Sequence, residues 1–237
     1  MNLILFDAAE IATPLPRSDP RAAHVLDVLR RKVGDTFDAG LINGPRGKGT
    51  LVAVGPEALT LEFTWGGPAA APESIILLIG LPRPQTGRDI LREATSLGVG
   101  ALYFFRAEKS EASYANSSLW SSGEWRRHLI TGAEQAFTTQ LPEVTHGKNL
   151  ADVIASLPQN ATRLALDNYE SPQSLSAVAF TAPVVLAFGP ERGWSATERD
   201  LLRANRFELA HLGTRVLRSE TAMIAAVAVV RSKLGLI

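Results

Sequence analysis

Cysteine is absent from the 237-residue chain, which excludes disulfide frameworks, thiolate nucleophiles and cysteine-ligated zinc. Histidine is scarce as well. His24, His128, His146 and His211 lie far apart, with no HExxH spacing, so no metal site is expected. Net charge is missing too, because 24 Lys and Arg balance 24 Asp and Glu. A nonspecific nucleic-acid binder is usually basic. Any nucleic-acid partner must therefore be held by local patches rather than by the field of the whole molecule. No stretch reaches the 18 consecutive apolar residues of a membrane span, and residues 1–7 carry no basic leader segment. A cytoplasmic protein away from the membrane is expected. The G-x-S-x-G elbow, GxGxxG and a Walker A loop are all lacking, so those hydrolase and phosphate-loop chemistries have no carrier here.

What is present suits a folded α/β protein. Hydrophobic residues make up 46% and charged residues 20%, enough to bury a core in one large or two small domains. The Gly/Pro/Ala-rich stretch Gly66–Ser74 reads as a linker, which divides the chain into residues 1–70 and 71–237. Before it, short apolar runs at Leu3–Phe6, Thr36–Ile42, Thr50–Val54 and Leu59–Trp65 predict strands. Asn43–Gly49 reads as a long glycine-rich hairpin loop. Only Pro20–Arg31 has helical spacing, through Ala22, Val25, Leu26 and Leu29. After the linker, strands and helices alternate. Ile75–Leu81, Ala101–Phe105, Arg163–Leu166, Val184–Phe188 and Phe207–Leu212 predict strands; Arg88–Leu97, Gly123–Phe137, Ser195–Ala204 and Ser219–Leu234 predict helices. The pattern implies a mainly parallel sheet covered by helices on both faces.

Ligands of such sheets bind outside the carboxyl ends of the strands. Three loops leave those ends: Asp167–Glu170, Gly189–Trp194 and Gly213–Arg218. The second runs into Ser195-Ala196-Thr197-Glu198, a capping-box pattern. It reads either as an ordinary capped turn or as a loop whose glycines and helix amides receive a ligand. Arg218 and Glu220 precede the apolar helix Ala222–Val230. They either pair with each other or face a cleft. A helix apolar nearly all round belongs in a core or at a subunit interface. Cations concentrate in two places. One is Arg30-Arg31-Lys32 with Arg46 and Lys48; the other is residues 199–233, where seven basic residues meet three acidic ones, a net +4. His24 and His211 read as a solvated helix residue and a satisfied, partly buried histidine, respectively.

Taken together, the second and third of these loops resemble a known family. Gly189-Pro190-Glu191-Arg192-Gly193-Trp194-Ser195 is similar to G-P-E-G-G-F/W-S/T. Leu212-Gly213-Thr214-Arg215-Val216-Leu217-Arg218-Ser219-Glu220-Thr221-Ala222 is similar to L-G-x-R-I/V-L-R-x-E-T-A. Both motifs mark the RsmE-type 16S ribosomal RNA (uracil N3) methyltransferases of the SPOUT class. Three further stretches add to the likeness: His24–Asp35 to H-x-x-x-V-L-R-x-x-x-G-D, Ala94–Val99 to A-T-E-L-G-V, and Ala133-Glu134-Gln135 with Leu141-Pro142 to A-x-E-Q…x-P. The chain departs from the pattern at Glu93, Ser96, Phe137-Thr138-Thr139 and Arg192.

The resemblance implies a PUA-like RNA-binding β-barrel over residues 1–70. Over 71–237 it implies a SPOUT methyltransferase domain, an α/β parallel sheet tied in a deep trefoil knot. It implies a homodimer with the last helix in the interface, and ribosomal RNA or the small ribosomal subunit as partner. S-adenosyl-L-methionine is the implied cofactor, held by Leu166, Asp167, Asn168, Phe188, Gly189, Pro190, Glu191, Gly193, Leu212, Gly213, Val216, Leu217 and Arg218. The expected reaction is methyl transfer to N3 of a uridine. Arg218 is expected to stabilise the uracil anion, with Glu191 or Glu220 accepting the proton. RNA contacts are expected from His24, Arg30, Arg31, Lys32, Arg46, Lys48 and Arg215. Two other readings stay open: a SPOUT methyltransferase acting on a different base or on ribose, and a non-catalytic RNA-binding protein that keeps the fold.

Overall fold

The computed structural model describes residues 3–237. The chain forms two compact units, one comprising Met1–Ala71 and Ile130–Leu141, the other Pro72–Leu129 and Pro142–Ile237. The return of residues 130–141 to the first unit carries no linker-like composition, and a single cut after residue 70 leaves it out.

In the first unit the elements are β1 (Ile4–Phe6), β2 (Leu15–Pro16), α1 (Pro20–Ala23), β3 (Thr36–Leu41), β4 (Arg46–Val54) and β5 (Ala58–Trp65). They build one mixed five-stranded sheet in the order β1-β3-β4-β5-β2, with β1 parallel to β3 and the remaining pairs antiparallel. Phe6, Phe37, Leu51 and Leu59 are buried at its centre together with Val25. Each such side chain contributes about 1.5–3 kcal/mol of apolar burial.

The predicted helix Pro20–Arg31 is a four-residue α-helix followed by a π-turn over His24–Val28. Asp19 caps the Arg21 amide at 2.8 Å and Pro20 stands at the first helical position, a favourable start. The wider turn then closes through Leu29 N–H to His24 O at 2.9 Å, and Arg30 leaves it at φ 53°. The expected glycine-rich loop is likewise largely strand, since β4 begins at Arg46. Gly47 and Gly49 serve packing rather than turning. A Cβ at Gly47 would lie 2.0 Å from Thr64 O, and one at Gly49 would lie 2.5 Å from the Phe37 ring.

The second unit contains β6 (Glu73–Gly80), α2 (Pro84–Ser96), β7 (Val99–Arg106), α3 (Ser118–Ser121), α4 (Glu124–Gln135), β8 (Glu143–Asn149), α5 (Leu150–Ala155), β9 (Thr162–Leu166), β10 (Gln173–Ser174), β11 (Val184–Phe188), α6 (Ala196–Ala204), β12 (Glu208–His211) and α7 (Ser219–Lys233). The unit boundary falls within α4, after Leu129. The sheet order is β10-β12-β9-β11-β6-β7-β8, and these pairings are all parallel. This agrees with the expected parallel α/β sheet. β11 is buried along its whole length, as a strand covered on both faces must be. Val185 and Ala187 meet a cluster that includes Val153, Ile154 and Leu202. Val184, Leu186 and Phe188 point the other way, and α7 packs against β11 and α2.

The sequence reading missed β8 and α5. β8 is an edge strand of composition EVTHGKN, mostly exposed, so it has no apolar run to announce it. No helix among the described residues is long and apolar enough to cross a membrane.

Candidate active site

β12, β9 and β11 are adjacent in the sheet, so the loops leaving their carboxyl ends share one rim. Between these loops lies a cavity of about 620 Å³, within the range of small-molecule sites of about 300–1,000 Å³. Leu166, Asp167, Asn168 and Tyr169 line it from the first loop. Phe188, Gly189, Pro190, Glu191, Gly193 and Trp194 come from the second. Leu212, Arg215, Val216, Leu217 and Arg218 come from the third, followed by Ser219, Glu220 and Ala222 of α7. The three loops selected from sequence thus form a single site.

Each loop is fixed by its own chemistry. Ser195 and Glu198 make the expected capping box, with Ser195 N–H donating to Glu198 Oε2 at 2.9 Å and Glu198 N–H to Ser195 Oγ at 3.0 Å. Trp194 is buried, donates its indole N–H to Leu166 O at 2.8 Å, and stacks on Phe105 with centroids 5.8 Å apart. The second loop is thereby tied to the first. Lys109 donates to Trp194 O at 2.8 Å. Asp167 holds Arg199 through Nε at 2.6 Å and Nη2 at 3.3 Å, with the carboxylate only 2% exposed. Burial pushes the Asp167 carboxyl up, but the Arg199 guanidinium and the amide of Tyr169 outweigh it. The net position is below the usual carboxylate range.

Arg218 and Glu220 do not pair with each other; both line the cavity. Of the two alternatives, the cleft-facing one holds. Arg218 occupies the position before α7, and Glu220 lies in its first turn, where a carboxylate suits the helix dipole. Glu191 is otherwise engaged, accepting the Arg83 backbone N–H at 2.9 Å. Arg192, which stands where the family motif has glycine, pairs with Glu111 at 2.9 Å on the surface.

Gly213 does not line the cavity. A Cβ there meets nothing within 4 Å, but φ is +108°, a conformation that glycine alone adopts readily. Its role is to turn the third loop. His211 Nδ1 accepts the Gly213 N–H at 3.0 Å, so this histidine is a partnered residue of the loop.

Arg83 and Thr86 also line the cavity, and sequence reasoning passed over them. Pro82-Arg83-Pro84 follows the run Ile75–Leu81, and the exit of a strand beside β11 belongs on the same rim. That signal was available.

The expected RNA contacts other than Arg215 lie in the first unit. Arg30, Arg31 and Lys32 are exposed beside the π-turn and His24 is half-buried within it. Arg46 lies over the Phe137 ring, while Lys48 is paired with Asp38 at 2.7 Å. No group of three His, Asp or Glu side chains among the described residues could hold a metal ion.

Comparison with known proteins gives the site a family. A model described as the RNA methyltransferase domain matches residues 69–231. Ribosomal RNA small subunit methyltransferase E of Treponema pallidum is 34% identical over 242 residues, covering 97% of this chain and 90% of that protein. Ribosomal RNA small subunit methyltransferase E 1 of Borreliella burgdorferi is 30% identical, covering 99% of each. The crystal structure of the Neisseria gonorrhoeae ribosomal RNA small subunit methyltransferase E bound to S-adenosyl methionine shares the fold. Its TM-score is 0.82 at 20% identity, covering 99% of this chain and 98% of that one. A cavity built from the motif loops, a domain match over most of the chain and a near-full-length relative above 30% identity agree: the chain belongs to the ribosomal RNA small subunit methyltransferase E family.

Proposed function

We propose that this chain methylates N3 of a uridine in small-subunit (16S) ribosomal RNA, with S-adenosyl-L-methionine as methyl donor. The observation that carries the reading is the convergence of the two motif loops and the Leu166–Tyr169 loop on one cavity. The lining suits an amphipathic, cationic nucleoside. Leu166, Phe188, Leu212, Val216 and Leu217 offer apolar surface, and Asp167, Glu191 and Glu220 offer carboxylates. Backbone of the Leu166–Asn168, Phe188–Gly193 and Leu212–Arg218 segments would hold it. When bound, S-adenosylmethionine supplies a methyl group on a positively charged sulfur.

The chain's own groups manage the uracil. Its N3 must lose a proton before it can attack, and the resulting anion spreads over the two carbonyl oxygens. Arg218 places a fixed positive charge at the cavity to stabilise that anion. Glu220 is the better of the two proton acceptors, because Glu191 already accepts an amide that straps its loop to the start of α2. Holding both reactants in one cleft supplies much of the remaining acceleration.

Further parts of the reading go with the family. The first unit serves as a PUA-like RNA-binding barrel, using His24, Arg30, Arg31, Lys32, Arg46 and Lys48, with Arg215 near the donor. The second unit is the SPOUT methyltransferase domain with a deep trefoil knot. Its strand order supports this, since β12 sits between β9 and β10 although it follows both in the chain. The active form is a cytoplasmic homodimer through α7, whose Ile224 is 39% exposed while Met223, Ala226, Val227 and Val230 are buried.

The test is methyl transfer from labelled donor to small ribosomal subunits lacking the modification, with digestion and mass analysis of the labelled nucleoside. 3-Methyluridine is expected. Label on another base or on ribose would replace the target, and no transfer by a protein that binds donor would remove the activity.

A further inference from the structure

The first unit holds a second cavity, of about 430 Å³, that the methyl-transfer chemistry does not use. Arg46 lies at its edge and the Gly66–Ala70 segment forms one wall, with Phe137, Thr138, Thr139 and Gln140 forming the other. We propose that this cavity is a subsite for one unpaired nucleotide of the RNA substrate, its phosphate on Arg46 and its base against Gln140. The inference deepens the methyltransferase reading and rests on it for the identity of the RNA.

The cavity carries charge of one sign. No carboxylate lines this cavity, and Arg46 is its single charged residue. In a chain with no net charge, a concave site of one sign is a local exception, and its sign suits phosphate. The main cavity differs, since it mixes three arginines with three carboxylates.

That charge is preorganised. The Arg46 guanidinium lies 5.2 Å from the Phe137 ring centroid and donates Nη1–H to Phe137 O at 2.9 Å. One N–H of five is used and four remain for a ligand. Phe137 itself is held at φ 56°, a region that an aromatic residue occupies only when its surroundings impose it. The surroundings are visible. Asn43 N–H donates to Thr139 O at 2.8 Å, Asn43 Oδ1 accepts the Leu141 N–H at 2.9 Å, and Thr139 Oγ1 donates to Gly44 O at 2.6 Å. The strap over residues 137–141 is thus fastened to the β3–β4 hairpin, and the strain sits where the arginine is anchored.

One polar side chain of the cavity is left open. The Gln140 carboxamide makes no hydrogen bond among the described residues. It offers both donors and an acceptor, the set that reads a base edge. Unpaired bases splayed from the backbone are what proteins recognise by sequence in RNA, whereas duplex grooves present no single nucleotide to a pocket of this size.

The probe is heptauridylate carrying one 4-thiouridine, with a 12-base-pair RNA duplex as control, titrated into the full-length protein. Photocross-links are expected at residues 137–140. Arg46→Gln should weaken oligonucleotide binding about tenfold and lower the slope of log affinity against log salt by about 0.7, the value for one lost phosphate contact on a single strand. Ala70→Trp, which narrows the cavity without changing charge, should weaken binding comparably and leave duplex binding alone. If Arg46→Gln loosens the strap and lowers the melting temperature, Ala70→Trp and Gln140→Ala still decide the matter. Unchanged affinity in both, or cross-links confined to residues 24–32, would overturn the subsite. Loss of these contacts in a protein that transfers no methyl group would keep the subsite and remove the methyltransferase reading. Full transfer with unchanged KM in all three variants would do the reverse.

Discussion

Arg218 shows how much a single residue's place depends on its neighbours. Its motif position suggested either a partner for Glu220 or a cleft-facing cation, and the structure puts both residues on the cavity without pairing them. Arg218→Ala is therefore expected to lower turnover about 10²-fold or more, with little change in donor affinity measured by titration calorimetry. Equal turnover in the two proteins would remove Arg218 from the chemistry. Gly213 teaches the complementary lesson. The resemblance implies a place among the residues that hold the donor, yet a side chain there would project into open space and only φ forbids it. Gly213→Val should cost about 1–3 kcal/mol of local strain and weaken donor binding by displacing Leu212 and Val216. A crystal structure of that variant with an unmoved loop and normal affinity would contradict this.

Elements are held in place by polar ties that periodicity does not reveal. Asp167 at the end of β9 and Arg199 of α6 form a pair more than 30 residues apart in sequence, with little exposure of either side chain. Removing one member strands the other. Arg199→Met should cost about 3 kcal/mol, and adding Asp167→Leu should restore part of it. Urea midpoints of the four proteins in that cycle measure the coupling, and strictly additive losses would deny it.

A second tie joins α2 to α4. Glu124 accepts Arg88 Nε–H at 2.7 Å and contacts His128 at 3.2 Å. The Arg88 hydrogen bond above all, then that of His128, lowers its carboxyl to about 2 from 4.5. Because the folded value lies below the unfolded one, the stabilisation is complete above pH 4.5 and is lost as pH falls toward 2. Glu124→Gln should flatten the acid side of the stability profile in that window. A parallel profile for variant and parent would show that Glu124 contributes nothing there.

At the scale of the whole molecule, α7 is divided between the core and the surface. Met223, Ala226, Val227 and Val230 are buried within the chain, while Ile224 is left partly exposed. An apolar residue exposed on such a helix is suited to a second copy. Ile224→Arg is expected to shift the sedimenting species from twice the chain mass to the chain mass, leaving the circular dichroism spectrum unchanged. A parent protein that already sediments as a monomer would overturn the dimer.

Sequence alone determined the parallel sheet and the three loops that line the main cavity. Continuous apolar runs such as Val184–Phe188, alternating with helical segments, suit a parallel sheet covered on both faces, and backbone turns at strand ends leave motifs of glycine and caps. The π-turn after α1, the edge strand β8, the return of residues 130–141 and the Arg46–Phe137 pair escaped it. The tertiary ties depend on partners distant along the chain: Gly47 on Thr64, Arg46 on Phe137, Asp167 on Arg199. Periodicity records which face of an element is apolar. It holds no record of what comes to lie against that face, because that choice is made by packing density and by the pairing of buried polar groups, which exist only once the chain has closed on itself.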